Sequence, residues 1–183
     1  MEAALKKTDS RTDVRQVVRE NPMRTIRVEK VVLNMGCGTK LNPEHAKTIL
    51  EMITASKAVI TKTKRRTTFN VPKNKAIGCK VTVRKSAAEF LRRLLEAKDN
   101  RLKASSFDST GNFSFGIKEY IDIPGTDYNP KIGLLGMDVC VSLSRLGYSI
   151  KYRKFPGKLG RKHLITKEEA IGFTKKFGAK IEE

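Results

Sequence analysis

Between residues 28 and 35 apolar and polar positions alternate: Val31, Leu33 and Met35 take one side, Val32, Asn34 and Gly36 the other. A period of two predicts a strand with one buried face. The pattern returns at residues 77–84, where Val81 and Val83 oppose Lys80, Thr82 and Arg84, and at 137–143, where Met137, Val139, Val141 and Leu143 form the inward set. Elsewhere the period is helical. Asn42-Pro43-Glu44 supplies an N-cap, a proline at the first helical position and an acid near the positive end of the dipole. Ala46, Ile49, Leu50 and Ile53 then form one stripe. Ala87, Phe90, Leu91, Leu94 and Leu95 form a second stripe behind Ser86-x-x-Glu89. Ala170, Phe173, Thr174 and Phe177 form a third behind Thr166-x-x-Glu169. Both leading motifs match a capping box, and Gly178 is placed to stop the last helix.

Weaker extended signals cover residues 58–61 and 113–123, with an edge strand at 148–152. Residues 99–112 read as a polar connection. Residues 63–75 hold Pro72 and almost no apolar side chain, so they read as a projecting loop. Helices too few to cover both faces of a sheet point to an α+β fold: one mostly antiparallel sheet, helices packed on one face, the other face open. Residues 1–20 form an N-terminal extension, and residues 21–183 a single domain with a projecting basic loop at 62–75.

Charge sharpens this picture. The 183 residues carry 38 Lys+Arg against 19 Asp+Glu, a formal net charge of +19. A field of that size attracts polyanions. Residues 57–85 hold ten bases and no acid, residues 145–167 hold eight bases and no acid, whereas 111–143 has four acids against two lysines. One cationic tract is compatible with a solvated surface; two acid-free tracts favour nucleic acid. No apolar run is long enough to span a membrane. The start of the chain lacks the apolar core of a secretory signal. Three cysteines without Cys-x-x-Cys spacing favour a reducing, cytoplasmic setting over a disulfide or zinc framework.

The residues offer little catalytic chemistry. Gly36-Cys37-Gly38 lacks the third glycine of a dinucleotide fingerprint, since position 41 is Leu. Gly157-Lys158 is followed by Leu159, unlike an NTPase phosphate loop. Cys37, Cys79 and Cys140 read as small buried hydrophobes, and His45 and His163 as surface residues. Phe113, Phe115 and Gly116 echo the stacking motif of RNA-recognition domains, although alternating core aromatics explain them better. No paired carboxylates or metal cluster stand out, so the expectation is a non-enzyme without cofactors. An RNA-modifying enzyme or a free-standing RNA chaperone remains the alternative. On the open face, Asn34, Lys80, Thr82 and Arg84 suit phosphates and ribose hydroxyls, and equally suit an ordinary wetted sheet.

Longer stretches decide between these. NPMRTIRVEKVVLNMGCG (21–38), IGCKVTVRKSAAEFLRRLL (77–95), FDSTGNFSFGIKEYIDIPG (107–125), YNPKIGLLGMDVCVSL (128–143) and HLITKEEAIGF (163–173) together resemble the ribosomal protein L5 family, which binds 5S rRNA in the large subunit, in its archaeal and eukaryotic branch. The resemblance runs from residue 21 to the end. It implies a structural constituent of the large ribosomal subunit in the cytoplasm, with a sheet face docked on 5S rRNA. The residues expected there are Asn34, Thr61, Lys80, Thr82 and Arg84. It further implies that the basic loop reaches the P-site tRNA through Lys62, Lys64, Arg65, Arg66, Lys73 and Lys75. Other implied partners are large-subunit rRNA, neighbouring proteins of the central protuberance and a small-subunit head protein, met through a bridge for which 111–143 is the candidate; no membrane is implied. The family usually has Gly-Gln-Lys-Pro where this chain has Ala55-Ser56-Lys57-Ala58, so no contact by that glutamine carries over.

Overall fold

A computed structural model describes residues 21–38, 41–66, 71–130 and 132–182. The extension at 1–20 and the centre of the 62–75 loop lie outside these residues. Among the described residues two compact units emerge, one of residues 28–143 and 166–182, the other of residues 144–165 with residues 21–27.

The larger unit is built on strands β1 (Arg27–Gly36), β2 (Val59–Lys62), β3 (Ala76–Val83), β4 (Arg101–Lys103), β5 (Phe113–Ile117), β6 (Met137–Ser144) and β7 (Lys180–Glu182). Its helices are α1 (Pro43–Thr54), α2 (Ala87–Glu96) and α3 (Lys167–Lys175). Five strands form one sheet in the order β2-β3-β1-β6-β5, and β4 pairs with β7 in a separate parallel ribbon. The pairs β1/β3, β2/β3 and β5/β6 are antiparallel. The α+β expectation holds.

Alternation sorted the strands as it should. Val31, Leu33, Met35, Val81, Val139, Val141 and Leu143 are buried. Against them lie Ala46, Ile49, Leu50 and Ile53 of α1, which packs across β3; Phe90, Leu91, Leu94 and Leu95 of α2 are buried as well. A buried leucine such as Leu33 contributes on the order of 2–5 kcal/mol against truncation to alanine. Asn42 Oδ1 accepts from the Glu44 N–H at 3.1 Å, the expected cap of α1. Thr166 and Glu169 form the expected capping box on α3. Beyond α3, the Gly178 N–H donates to the Lys175 carbonyl and the Ala179 N–H to the Thr174 carbonyl. With Gly178 at φ +92°, this is a Schellman stop.

Several expectations are corrected. Ser86 takes φ +55° and makes no capping hydrogen bond, because β3 turns into α2 through a left-handed residue that misdirects its hydroxyl. The segment 113–123 is extended only to Ile117; Tyr120–Asp122 is a 3₁₀ turn whose buried Tyr120 hydroxyl accepts from the Asn129 N–H. Tyr148–Tyr152 is a 3₁₀ turn, not an edge strand. The polar connection at 99–112 contains β4, held by β7. Cys37 and Cys79 are buried as expected, but Cys140 is exposed. Its even position on β6 points it away from Val139 and Val141, so its own strand's alternation excludes it from the core. His45 is exposed; His163 is half-buried, its Nε2 2.9 Å from the Leu146 carbonyl. No helix among the described residues is long and apolar enough to cross a membrane.

Candidate nucleic-acid interface

Strand register decides which polar side chains meet. In antiparallel ladders, directly opposed residues project to the same face, with Cα atoms about 4.5–5.5 Å apart. Asn34 opposes Lys80, which opposes Val59 on its other side. The next row is Gly36, Gly78 and Thr61, and the row before Asn34–Lys80 pairs Val32 with Thr82. Asn34, Thr61, Lys80 and Thr82 therefore share the face that alternates with the buried set. Lys80 is exposed, and Asn34, Thr61 and Thr82 are partly exposed. Arg84 departs from the group. It lies one residue past the end of β3, exposed, and with Thr82 lines a cleft toward Ala55, Ser56, Glu89 and Arg93.

Glycine permits the close approach in the middle row. A Cβ on Gly78 would sit 2.6 Å from the Met35 carbonyl oxygen and 3.2 Å from Thr61 Oγ1. The first neighbour is backbone and cannot swing aside, so only glycine lets β1 and β2 flank β3 here. Directly after Thr61 the register shifts, so that Lys62 opposes Ala76.

The same face continues onto β6 and β5 with groups that the sequence reading left out. Asp138, opposite Gly116, and Cys140, opposite Ser114, alternate with the buried Met137, Val139 and Val141. Asn34, Gly36, Gly116, Lys118, Gly136 and Asp138 line a shallow depression of about 470 Å³. The face is thus cationic at Lys80 and anionic at Asp138. Partial desolvation, followed by the charge of Asp138, pushes the Cys140 thiol above its ordinary range. Burial pushes the Cys37 and Cys79 thiols up as well. A signal for Asp138 and Cys140 was present in the alternation of 137–143; what was missing was the neighbour relation of β6.

The basic loop leaves from the β2–β3 hairpin. Thr63, although expected in a loop without core, is buried and ties the base together. Its Oγ1 donates to the Pro72 carbonyl at 2.7 Å and accepts from the Lys75 N–H at 3.0 Å. Its own N–H donates to the Lys75 carbonyl at 2.9 Å, and its carbonyl accepts from the Asn74 N–H at 2.9 Å. Around this clasp Lys62, Lys64, Arg65, Arg66, Lys73 and Lys75 are all exposed. Of the four acids of 111–143, Asp138 belongs to the sheet face, Glu119 is half-buried, and Asp122 and Asp127 are exposed.

Two family models match the chain. One, described as ribosomal protein L5, covers residues 21–68, and the other, the ribosomal L5P family C-terminus, covers 76–173. Among similar curated proteins is the large ribosomal subunit protein uL5 of Cenarchaeum symbiosum, 49% identical over 166 residues, 87% of this chain and 97% of that protein. The uL5 proteins of Nitrosopumilus maritimus and Archaeoglobus fulgidus are 44% and 42% identical, over 88% and 89% of this chain and 96% and 93% of theirs.

Proposed function

The chain belongs to the ribosomal protein L5 family, and from that premise we propose that it anchors 5S rRNA through the β2-β3-β1 face while its basic loop contacts the P-site tRNA. As a family member it is a structural constituent of the large ribosomal subunit, not an enzyme. The observation that carries the finer reading is the row Asn34–Lys80–Val59 beside Thr61 and Thr82, all exposed or half-exposed on one face. Lys80 neutralises phosphate, and Asn34, Thr61 and Thr82 exchange hydrogen bonds with phosphate and ribose oxygens. Asp138 repels phosphate and accepts from base amino groups, so the RNA backbone runs over β2 and β3 while bases approach β1 and β6. Arg84 reaches the same RNA from the end of β3. The loop cations, on a backbone clasped at Thr63, meet tRNA by charge, without demanding one sequence. Asp122 and Asp127 are offered to a basic small-subunit protein, which completes the proposed bridge within the central protuberance.

The test separates the two surfaces. Lys80→Ala with Thr82→Val weakens binding to isolated 5S rRNA at least tenfold, read by gel shift. It also flattens the log–log salt slope by about 0.7–0.9 for the lost phosphate contact. Lys64, Arg65 and Arg66 changed together to Ala leave 5S affinity within about twofold, but shift tRNA placement on reconstituted subunits, read by chemical footprinting. Equal loss of 5S affinity in both variants refutes the division of labour.

A further inference from the structure

The smaller unit holds a cationic excursion that takes no part in the proposed 5S rRNA and tRNA contacts. Its base is tightly bonded. Arg145 Nη1 donates to the carbonyls of His163 and Leu164 at 3.2 and 3.3 Å. The Tyr148 hydroxyl donates to the His163 carbonyl and accepts from the Ile165 N–H, both at 3.2 Å. The Tyr148 and His163 rings meet edge-on at 5.7 Å. Further out, the Gly157 N–H donates to the Ile150 carbonyl at 3.2 Å and closes residues 151–156 into a tip. A Cβ on Gly157 would come within 2.7 Å of Ile150 Cγ2, so the closure is close-fitting.

Every residue of that tip, Lys151 through Pro156, is exposed. It carries two exposed aromatic residues, Tyr152 at 60% and Phe155 at 84% exposure. Single exposed apolar residues are common and need no partner. Here the rings are interleaved with Lys151, Arg153 and Lys154 and followed by Lys158, Arg161 and Lys162; no acid stands between Asp138 and Glu168. Lys154 Nζ lies 5.8 Å from the Phe155 ring centroid. Cations that track a phosphate backbone, beside rings that offer stacking platforms, are the chemistry that holds unpaired nucleotides. A paired helix hides its base faces, so the rings gain nothing from it. A membrane surface would want an amphipathic helix with a broad apolar side, and a six-residue tip of mostly charged side chains has none.

We propose that residues 151–156 form a second RNA site, specific for unpaired RNA, in which Tyr152 and Phe155 stack on bases and Lys151, Arg153 and Lys154 neutralise the flanking phosphates. The site uses none of the residues assigned to 5S rRNA or tRNA and stands whether or not those assignments do.

The chain contains no tryptophan, so Phe155→Trp in the full-length protein places one fluorophore at the tip. Titration with a twelve-residue oligouridylate saturably quenches its emission, and a duplex of equal phosphate content quenches far less. Adding Tyr152→Leu raises the oligouridylate concentration for half-quenching at least about fivefold, the low end for loss of one base–aromatic stack. An unchanged thermal midpoint confirms that these exposed substitutions leave the fold intact. Emission that the oligouridylate does not alter overturns the proposal, as does equal quenching by duplex. A blue shift on vesicles of phosphatidylcholine and phosphatidylserine, with no response to oligouridylate, overturns it in favour of a membrane contact.

Discussion

The sheet face and the basic loop present cations from one hairpin, yet they hold them in opposite ways. On the face, Lys80 stands between Asn34 and Val59 because β3 is paired on both sides. Its neighbours are set by ladder register, and the pattern cannot shift by one residue without turning the core outward. In the loop, Lys64, Arg65, Arg66 and Lys73 leave a backbone tied at Thr63. A fixed array of donors and acceptors can match the shape of a folded RNA; a tethered set of charges responds to phosphate density. The two surfaces therefore suit a permanent partner and a passing one.

The strongest way to break the contrast is at Gly78. Gly78→Ala drives a methyl toward the Met35 carbonyl oxygen, 2.6 Å away, and parts β1 and β2 from β3. The expected cost is about 1–3 kcal/mol, with a lower urea midpoint and weaker 5S binding together. A midpoint equal to that of the parent would show that the approach is looser than described. A smaller effect is expected at the loop's clasp. Thr63→Val keeps the shape but leaves the Lys75 N–H and Pro72 carbonyl without their hydroxyl partner, at about 1 kcal/mol. Faster hydrogen exchange at the Lys75 amide, with 5S affinity retained, is the expected signature.

The gentlest probe is the Cys140 thiol. Desolvation and the negative charge of Asp138 both disfavour its thiolate. Alkylation by iodoacetamide, which needs the thiolate, therefore rises at a higher pH than for an ordinary free thiol. Asp138→Asn removes the like charge and moves the profile to lower pH. Cys37 and Cys79 are buried and stay unmodified while the protein is folded. Bound 5S rRNA should shield Cys140, whereas tRNA should not; shielding by tRNA alone would reverse the roles assigned to the two surfaces.

Much of this is legible in the sequence. The two-residue period and the 3.6-residue period are consequences of backbone geometry. They told which side chains of β1, β3 and β6 and of α1 and α2 turn inward; on α3 Ala170 and Thr174 are buried, whereas Phe173 is half-buried and Phe177, past the helix end, is half-buried too. Caps at Asn42 and Thr166 were legible because their hydrogen bonds are local. Ser86 failed because the same four-residue motif depends on a backbone angle that the preceding strand imposes. Thr63 was read as loop because its partners, Pro72 and Lys75, lie across the hairpin.

What the chain alone could not reveal is adjacency between distant segments. Alternation made Asn34 and Asp138 outward residues separately; only the order β3-β1-β6-β5 set them around one depression. Nor did local pattern announce the β4–β7 ribbon, whose strands of three residues each exist by pairing with a segment 79 residues away. Which residues face in is decided by covalent geometry within a few residues. Which outward residues become neighbours is decided by long-range packing, where burying the apolar stripes chooses one arrangement of strands and thereby composes the polar surface behind them.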